Sequence, residues 1–525
     1  MTVPSELLRH AHRRAAGLRS RFRAAGFWSA QPVDAVRFAA ARYPARVAAV
    51  DRRLGELTYS QLDERIDLAA KAMVDAGVGV ATPVVVVVGN DIDSVVAVHA
   101  VMRIEAVVLL VARSSGPAQV ADVIERSGAR FGTAPNWDRV ADCTGGAGFS
   151  WIDPHRYTGA GKLPRRTVPA DQPSFILYTS GTTSRPKGVI HSVSTLTKAS
   201  VNYIAGAGLS WDDRIFLISP LASVTGVLQA LFIAPMLTAP VVLEDRWDPA
   251  ATCELLLTSG ATWYGGPDRL LDRLLDEAVK RDRLVPLRAV YLGGTMLDAR
   301  IVDRIEDDFG IIVMRAYGSS EVPVSTSGLR SEPASLRHAD DGVALGDVEV
   351  RLGSPSDPAE CCIRGPHAFL GYTDAEDDTA AFDGEWFRTG DVAELADGRV
   401  RIVGRLKDIV IRNGLKIPAA EVEEAVAVLP GVRDCAAYAV ADATTGERLA
   451  VAVVLDEGTT AIPLTEVSEA LLAAGLPKYK LPEELVFWDQ PLPLNDNGKV
   501  VRKELAQRSA GRPRTLADRL VTPAS

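Results

Sequence analysis

The sequence predicts an α/β protein: a large N-terminal domain of layered, largely parallel sheets covered by helices, followed by a small C-terminal α+β domain. Three observations lead there. The chain has 525 residues, too many for one hydrophobic core. Solidly apolar runs alternate with segments of helical period past residue 320, as expected for strands buried on both faces. After GEWFRTGDVAELADGRVRIVGR, residues 384–405, the texture changes to shorter helices and alternating strands.

Residues 1–30 read as a helical lead-in. VAAVDRR and ELTY suggest a short hairpin, SQLDERIDLAAKAMVDAG an amphipathic helix stopped by glycine, and PVVVVVGN a buried strand. The most apolar long window, SVVAVHAVMRIEAVVLLVA, is interrupted by Arg103 and Glu105, which favours strand, helix and strand over a membrane span. Further strands are expected at FILY (175–178), RIFLISP (214–220), APVVLED (239–245) and LRAVYLGG (287–294), with a helix over LDARIVDRIEDDFG (297–310). In the C-terminal part, PAAEVEEAVAVL (418–429) and LTEVSEALLAAG read as helices around the strands DCAAYAVAD and RLAVAVVLDEG. The expected division is a large domain over 1–404, a hinge at 405–407, a small domain over 408–507 and a loose tail over 508–525.

Composition removes several classes of function. A formal charge of -9 argues against a general nucleic-acid or membrane binder. The five cysteines and seven histidines are scattered without metal-ligand spacing or a disulfide framework, so a cytoplasmic, reducing location is expected. The basic N-terminus (Arg9, Arg13, Arg14, Arg19) lacks the apolar core and cleavage site of a signal peptide.

The stretch that carries chemistry is YTSGTTSRPKGV, Tyr178 to Val189. Gly181 and Gly188 allow sharp turns and expose backbone N–H groups. Thr179, Ser180, Thr182, Thr183 and Ser184 add hydroxyl donors, and Lys187 a mobile charge; these are the parts of a polyphosphate cradle. No Walker A register fits, because Lys187 precedes its glycine. On composition alone such a loop is more often plain surface than a ligand site, and the other motifs decide the matter.

With YGSSE at 317–321, TGD at 389–391, GRLKD at 404–408 and NGK at 497–499 following in order, the chain resembles the adenylate-forming superfamily of acyl-CoA synthetases, adenylation domains and luciferases, in the style of bacterial aryl- or cyclic-acid CoA ligases. The resemblance runs from roughly residue 30 to 507. It implies that residues 179–188 wrap the β- and γ-phosphates of ATP, that Ser320 contacts phosphate and that Glu321 binds Mg²⁺. It assigns the adenine slot to Gly293, Gly294, Ala316 and Tyr317, with Gly318 giving a tight strand exit. Asp391 is then the ribose ligand and Arg405 a second ribose or phosphate contact. Lys499 reaches the carboxylate oxygen and α-phosphate during adenylation. The small domain turns about Lys407 between the two half-reactions and presents IRNGLKIPAAEVE, where Gly414 leaves room for a pantetheine arm.

The implied reaction is carboxylate plus ATP to acyl-AMP and pyrophosphate, then transfer to a thiol with release of AMP. The helix expected in the acid pocket reads PLASVTGVLQALF, with Ser223 where relatives commonly carry histidine. Ser223, Val224, Gly265, Gly266, Gly293 and Val322 are small or apolar and favour a neutral, compact acid: aromatic, cyclic, or short to medium aliphatic. The Gly-rich WYGGP at 263–267 favours a ring, and Ala222 and Ser223 offer no aspartate for an amino acid. With no fused carrier domain, CoA is the favoured thiol, its phosphate met by Lys478, Lys480 and Arg412. The alternatives are a stand-alone ligase loading a carrier protein, an oxidative light-emitting member, and a homologue without chemistry; Lys187, Glu321 and Lys499 all stand, which disfavours the last.

Overall fold

The computed structural model describes residues 6–143, 148–153, 163, 166–179, 186–293, 297, 299–459, 461–494 and 500–521. The chain divides into two compact units. The first comprises residues 1–294, 301–350 and 363–387, the second 295–300, 351–362 and 388–525.

Two sheets organise the first unit. One runs in the order Gly371–Tyr372, Lys187–Ser192, Pro173–Thr179, Val107–Ala112, Pro83–Val88, Phe131–Thr133, Ser150–Trp151. The last five of these strands are mutually parallel, whereas Lys187–Ser192 and Gly371–Tyr372 are antiparallel additions. The other has a parallel centre, Val47–Asp51, Val241–Leu243, Ile215–Leu217, Trp263–Gly266, Ala289–Leu292 and Ile312–Tyr317. The expected hairpin of Val47–Asp51 with Gly55–Thr58 closes one edge, and Thr326–Ser327 pairs antiparallel at the other. Val84 to Val88 are all buried, which is why the sequence there is a run of valines rather than an alternation.

The helices begin where side chains can receive their free N–H groups. Thr58 and Gln61 form a capping box on Tyr59–Asp75, and Ser192 with Thr195 does the same for Val193–Ala207. The apolar window around Arg103 is the helix Ile92–Arg103 followed by the strand Val107–Ala112. Arg103 is buried and tied to Asp34, Asp63 and Asp67, so its charge is matched inside the fold. Among the described residues no helix is long and apolar enough to cross a membrane.

The strand Trp386–Ala396, which enters the second unit at Arg388, forms a hairpin with Arg399–Arg405 around Asp397 and Gly398, both with positive φ. After the turn Leu406–Asp408 comes a sheet ordered Leu415–Pro418, Ile409–Arg412, Gly446–Leu455, Glu484–Trp488, Arg514–Leu516, with Val432–Asp442 paired to Gly446–Leu455. Val422, Val426 and Leu471 from two helices pack against Val410, Leu449, Val451 and Leu485 of this sheet. Of the segment expected as a loose tail, residues 508–521 pack onto the unit instead. Arg514–Leu516 adds the edge strand, Arg514 pairs with Glu484 at 2.8 Å, and Arg519 reaches Asp442 at 3.2 Å. These partners lie about thirty or more residues upstream, so no local pattern announced them.

Candidate functional site

The strand Pro173–Thr179 ends opposite Lys187, with Tyr178 paired to Gly188 and Thr179 to Lys187, so two antiparallel strands flank the phosphate-loop segment. Ser180, Gly181, Thr182 and Thr183 lie outside the described residues, as do Gly294 and Lys499. Gly371–Tyr372 pairs with the far side of Lys187–Ser192, setting Tyr372 across from Val189. The Lys187 ammonium stands 5.0 Å from the centre of the Tyr372 ring and pairs with Asp377 at 2.8 Å.

The Tyr372 hydroxyl donates to the Glu321 carboxylate at 2.7 Å. Burial, and beyond it the Glu321 charge, pushes the phenol far up, so the hydroxyl keeps its proton and acts as donor. The Glu321 backbone is fixed as well: its carbonyl accepts from Phe369 N–H at 2.8 Å, and its N–H donates to Ser319 Oγ at 3.2 Å. Ser320 is held through its carbonyl, which accepts from His191 Nε2 at 2.7 Å. His191 is fully buried, and burial lowers its pKa to about 4, so it is a neutral imidazole with Nε2–H as donor. Lys187, Ser320 and Glu321, distant in sequence, thus converge through two residues that motif reading missed, His191 and Tyr372. Their signals were faint: a histidine just past PKGV and a tyrosine in GYTD.

A Cβ on Gly318 would lie 2.4 Å from the Val324 nitrogen, and one on Gly293 would lie 2.6 Å from the Ala316 carbonyl oxygen. Both glycines therefore serve close backbone approach, with Gly293, Ala316 and Tyr317 at the ends of adjacent parallel strands.

The acid-pocket segment begins with Ser223 as an N-cap. Its hydroxyl accepts from Gly226 N–H at 3.1 Å and donates to the Pro220 carbonyl at 2.6 Å. The helix then widens into a π-helical stretch over Val227–Ile233, a form often found beside functional sites. Gly265 and Gly266 do not leave a flat slot for a ring, contrary to expectation. A Cβ at Gly265 would lie 2.4 Å from the Tyr203 hydroxyl, and one at Gly266 3.0 Å from the Tyr264 hydroxyl, so aromatic side chains already fill that space. Val322 is buried beside Ser325, whose hydroxyl donates to the Val322 carbonyl at 2.9 Å. Gln229, on the π-helical stretch, is fully buried; its amide donates to the Gly265 carbonyl at 3.1 Å, and its Oε1 finds no partner among the described residues.

In the second unit, Asp391 and Arg405 form a cross-strand pair, Nε to Oδ1 at 3.2 Å, with Asp391 buried and its N–H on Thr389 Oγ1 at 3.1 Å. Burial and the Arg405 guanidinium lower the Lys407 pKa. Gly414 follows Asn413 in a two-residue hairpin turn, φ 77° and 50°, so the turn itself requires glycine. Lys480 is paired with Glu421 at 2.5 Å and Arg412 with Glu483 at 3.0 Å, so the expected basic rim is largely satisfied inside the unit. Leu494 and Val500, which flank residues 495–499, form an isolated bridge. Just beyond it, Arg502 binds Glu423 at 2.7 Å and Asp408, the neighbour of Lys407, at 3.3 Å.

Residues 36–373 match the family described as AMP-binding enzyme, and residues 421–499 match the AMP-binding enzyme C-terminal domain. A medium-chain fatty-acid–CoA ligase of Escherichia coli (strain K12) is 27% identical over 532 residues, covering 93% of this chain and 93% of that protein. The 3-[(3aS,4S,7aS)-7a-methyl-1,5-dioxo-octahydro-1H-inden-4-yl]propanoyl:CoA ligase of Mycobacterium tuberculosis is 30% identical over 490 residues, 87% of this chain and 94% of that protein. The fold is shared with o-succinylbenzoate CoA synthetase from Bacillus subtilis, solved with its acyl-adenylate intermediate, at TM-score 0.78 and 22% identity over 90% of this chain and 98% of that one. Fold and likeness together define an ATP-using enzyme of the adenylate-forming class, an AMP-forming acid–thiol ligase. The chain belongs to the AMP-binding enzyme family.

Proposed function

We propose that the chain activates a compact carboxylic acid with ATP to an acyl-adenylate and pyrophosphate, then transfers the acyl group to CoA with release of AMP. The observation that carries this reading is the convergence of Lys187 and Glu321 on Tyr372, with the phosphate-loop strands on one side and the YGSSE turn on the other. In the first step a carboxylate oxygen attacks the α-phosphorus and pyrophosphate leaves. Lys187 and the loop hydroxyls meet the charge of the leaving phosphates, and Lys499 meets the charge on the α-phosphate and acid. Asp391 and Arg405 hold the ribose, Gly293, Gly294, Ala316 and Tyr317 form the adenine slot, and Gly318 gives the tight strand exit beside it. In the second step the thiol sulfur attacks the acyl carbon, AMP leaves, and the thiol proton passes to solvent. Lys407 is the pivot between these arrangements, and the Asn413–Gly414 turn lines the thiol path.

Glu321 fits Mg²⁺. One carboxylate oxygen is oriented by the Tyr372 hydroxyl, so Glu321 is a fixed, hard oxygen ligand that would hold the ion. The ion would supply neutralisation of phosphate charge. The named relatives are CoA ligases, which supports CoA over a carrier protein. The five cysteines are free and buried, in keeping with a reducing cytoplasm.

The test is mass detection of thioester when the protein, ATP and Mg²⁺ are given aryl, alicyclic and short to medium aliphatic acids with CoA or a phosphopantetheinyl carrier. A CoA thioester with one of these acids is expected. Thioester on the carrier alone would overturn the CoA assignment.

A further inference from the structure

The helix Arg9–Ala24 lies ahead of the stretch that matches the AMP-binding enzyme family, which begins at residue 36. Its apolar face is not a loose lead-in. Ala11, Ala15 and Phe22, with Leu8 and Trp28 on either side, join one core with Ile176, Tyr178, Ile190 and Leu370. Ile176 and Tyr178 belong to the strand that enters the phosphate loop, and Ile190 to the strand that leaves it.

The polar side of the same helix grips the segment around Tyr372. Arg14 forms a two-pronged pair with Asp378 at 3.0 and 3.1 Å, donates to the Leu370 carbonyl at 3.1 Å and lies 3.6 Å over the Phe382 ring. Asp378 in turn accepts from the Tyr372 N–H at 3.1 Å, and His10 Nε2 bonds the Tyr372 carbonyl. The Trp28 indole N–H donates to the Pro366 carbonyl at 2.8 Å. Gly371 fits this junction because a Cβ there would lie 2.4 Å from the Asp378 carboxylate and 2.9 Å from Arg14. Both backbone groups of Tyr372 are thereby fixed from the N-terminal helix, directly through His10 or through Arg14 and Asp378. Its side chain bonds Glu321 and underlies Lys187.

We propose that the N-terminal helix is a positioning element for the phosphate and metal corner, with Arg14 and His10 as positioning residues that set the Tyr372 hydroxyl against Glu321. A phenol that orients a carboxylate ligand raises metal affinity most when its own backbone is held, because a hydrogen bond weakens as it lengthens and bends away from its preferred geometry. The proposal rests on the reading of Glu321 as the Mg²⁺ ligand.

Its test is a double-mutant cycle of Arg14→Gln and Tyr372→Phe, read by calorimetric binding of ATP at stepped Mg²⁺ and by thermal melting. Each single variant is expected to raise the half-saturating Mg²⁺ roughly tenfold, the lower end for loss of an outer-shell partner. The double variant should be no worse than the weaker-binding single one, because both act through one contact. ATP binding without Mg²⁺ should stay within about twofold of wild type. If Arg14→Gln does not fold, His10→Phe enters the cycle in its place. A fall in melting temperature with unchanged Mg²⁺ dependence, or multiplicative effects in the double variant, would overturn the proposal. Failure of the Glu321 reading shows differently, as Glu321→Gln binding Mg²⁺ and ATP like wild type.

Discussion

The phenol of Tyr372 donates to the carboxylate of Glu321 at 2.7 Å across 51 residues of sequence, and the Lys187 ammonium lies 5.0 Å from the same ring. One side chain thus organises both a cation and an anion at the phosphate corner. Glu321→Gln should lower acid-dependent ATP–pyrophosphate exchange about a hundredfold and Tyr372→Phe about tenfold, the range for metal ligands and their orienting partners. Exchange rates at saturating and limiting Mg²⁺ check this; equal loss at both would assign Tyr372 to packing alone.

Leu494 and Val500, on either side of the segment that carries Lys499, form a bridge, and Arg502 just beyond it binds Glu423. Lys499→Ala should slow adenylation about 10²–10³-fold, as for loss of one well-aimed donor. It should spare ATP binding and the thioester step started from preformed acyl-adenylate. Single-turnover measurement of the two half-reactions separates these effects.

The buried Asp391 carboxylate, paired with Arg405, suits a ribose hydroxyl. Asp391→Ala should cost roughly tenfold to a hundredfold in kcat/KM with ATP, and much less with 2'- or 3'-deoxy-ATP. Comparing the three nucleotides in wild type and variant checks which hydroxyl is held.

On the segment proposed for the acid pocket, the buried Gln229 carbonyl finds no partner among the described residues, a cost of about 1–3 kcal/mol that a ligand donor would offset. Acids bearing a hydroxyl remote from the carboxylate should therefore outperform their deoxy analogues about tenfold, and Gln229→Met should abolish the preference. Equal kcat/KM for both acids in wild type would contradict it.

Three buried histidines set a pH limit on stability. Burial lowers His99 and His191 to about 4 and His367 to about 3, below the ordinary value of 6.5. The unfolded chain binds these protons first, so the contribution is fully present above pH 6.5 and is lost progressively as pH falls toward 4 and then 3. Melting temperature should fall over that window, and His99→Asn or His367→Asn should flatten the slope if the variant folds.

Much of this was legible in the sequence where the information is local. Valine runs gave the parallel strands, and turn and cap residues gave the helix starts. The motifs TGD and GRLKD singled out Asp391 and Arg405, though not that the two pair across one hairpin. Tyr372 and the docking of Arg14 on Asp378 were not legible, because each contact joins residues dozens to hundreds apart and neither partner alone departs from an ordinary surface residue. Gly265 was misread for the same reason. Its missing side chain leaves room for Tyr203, on the helix Val193–Ala207, where a substrate ring was expected. Ser223 was visible as a departure, and its local N-cap bonds supply a structural reason for a small hydroxyl there.

The most direct measurement is acid-dependent exchange of labelled pyrophosphate into ATP by the wild-type protein across the acid panel, alongside Glu321→Gln. Exchange that requires one compact acid and Mg²⁺, and that falls about a hundredfold in the variant, is the expected result. No exchange with any acid, or exchange indifferent to Glu321, would contradict the assignment of this corner to adenylate formation.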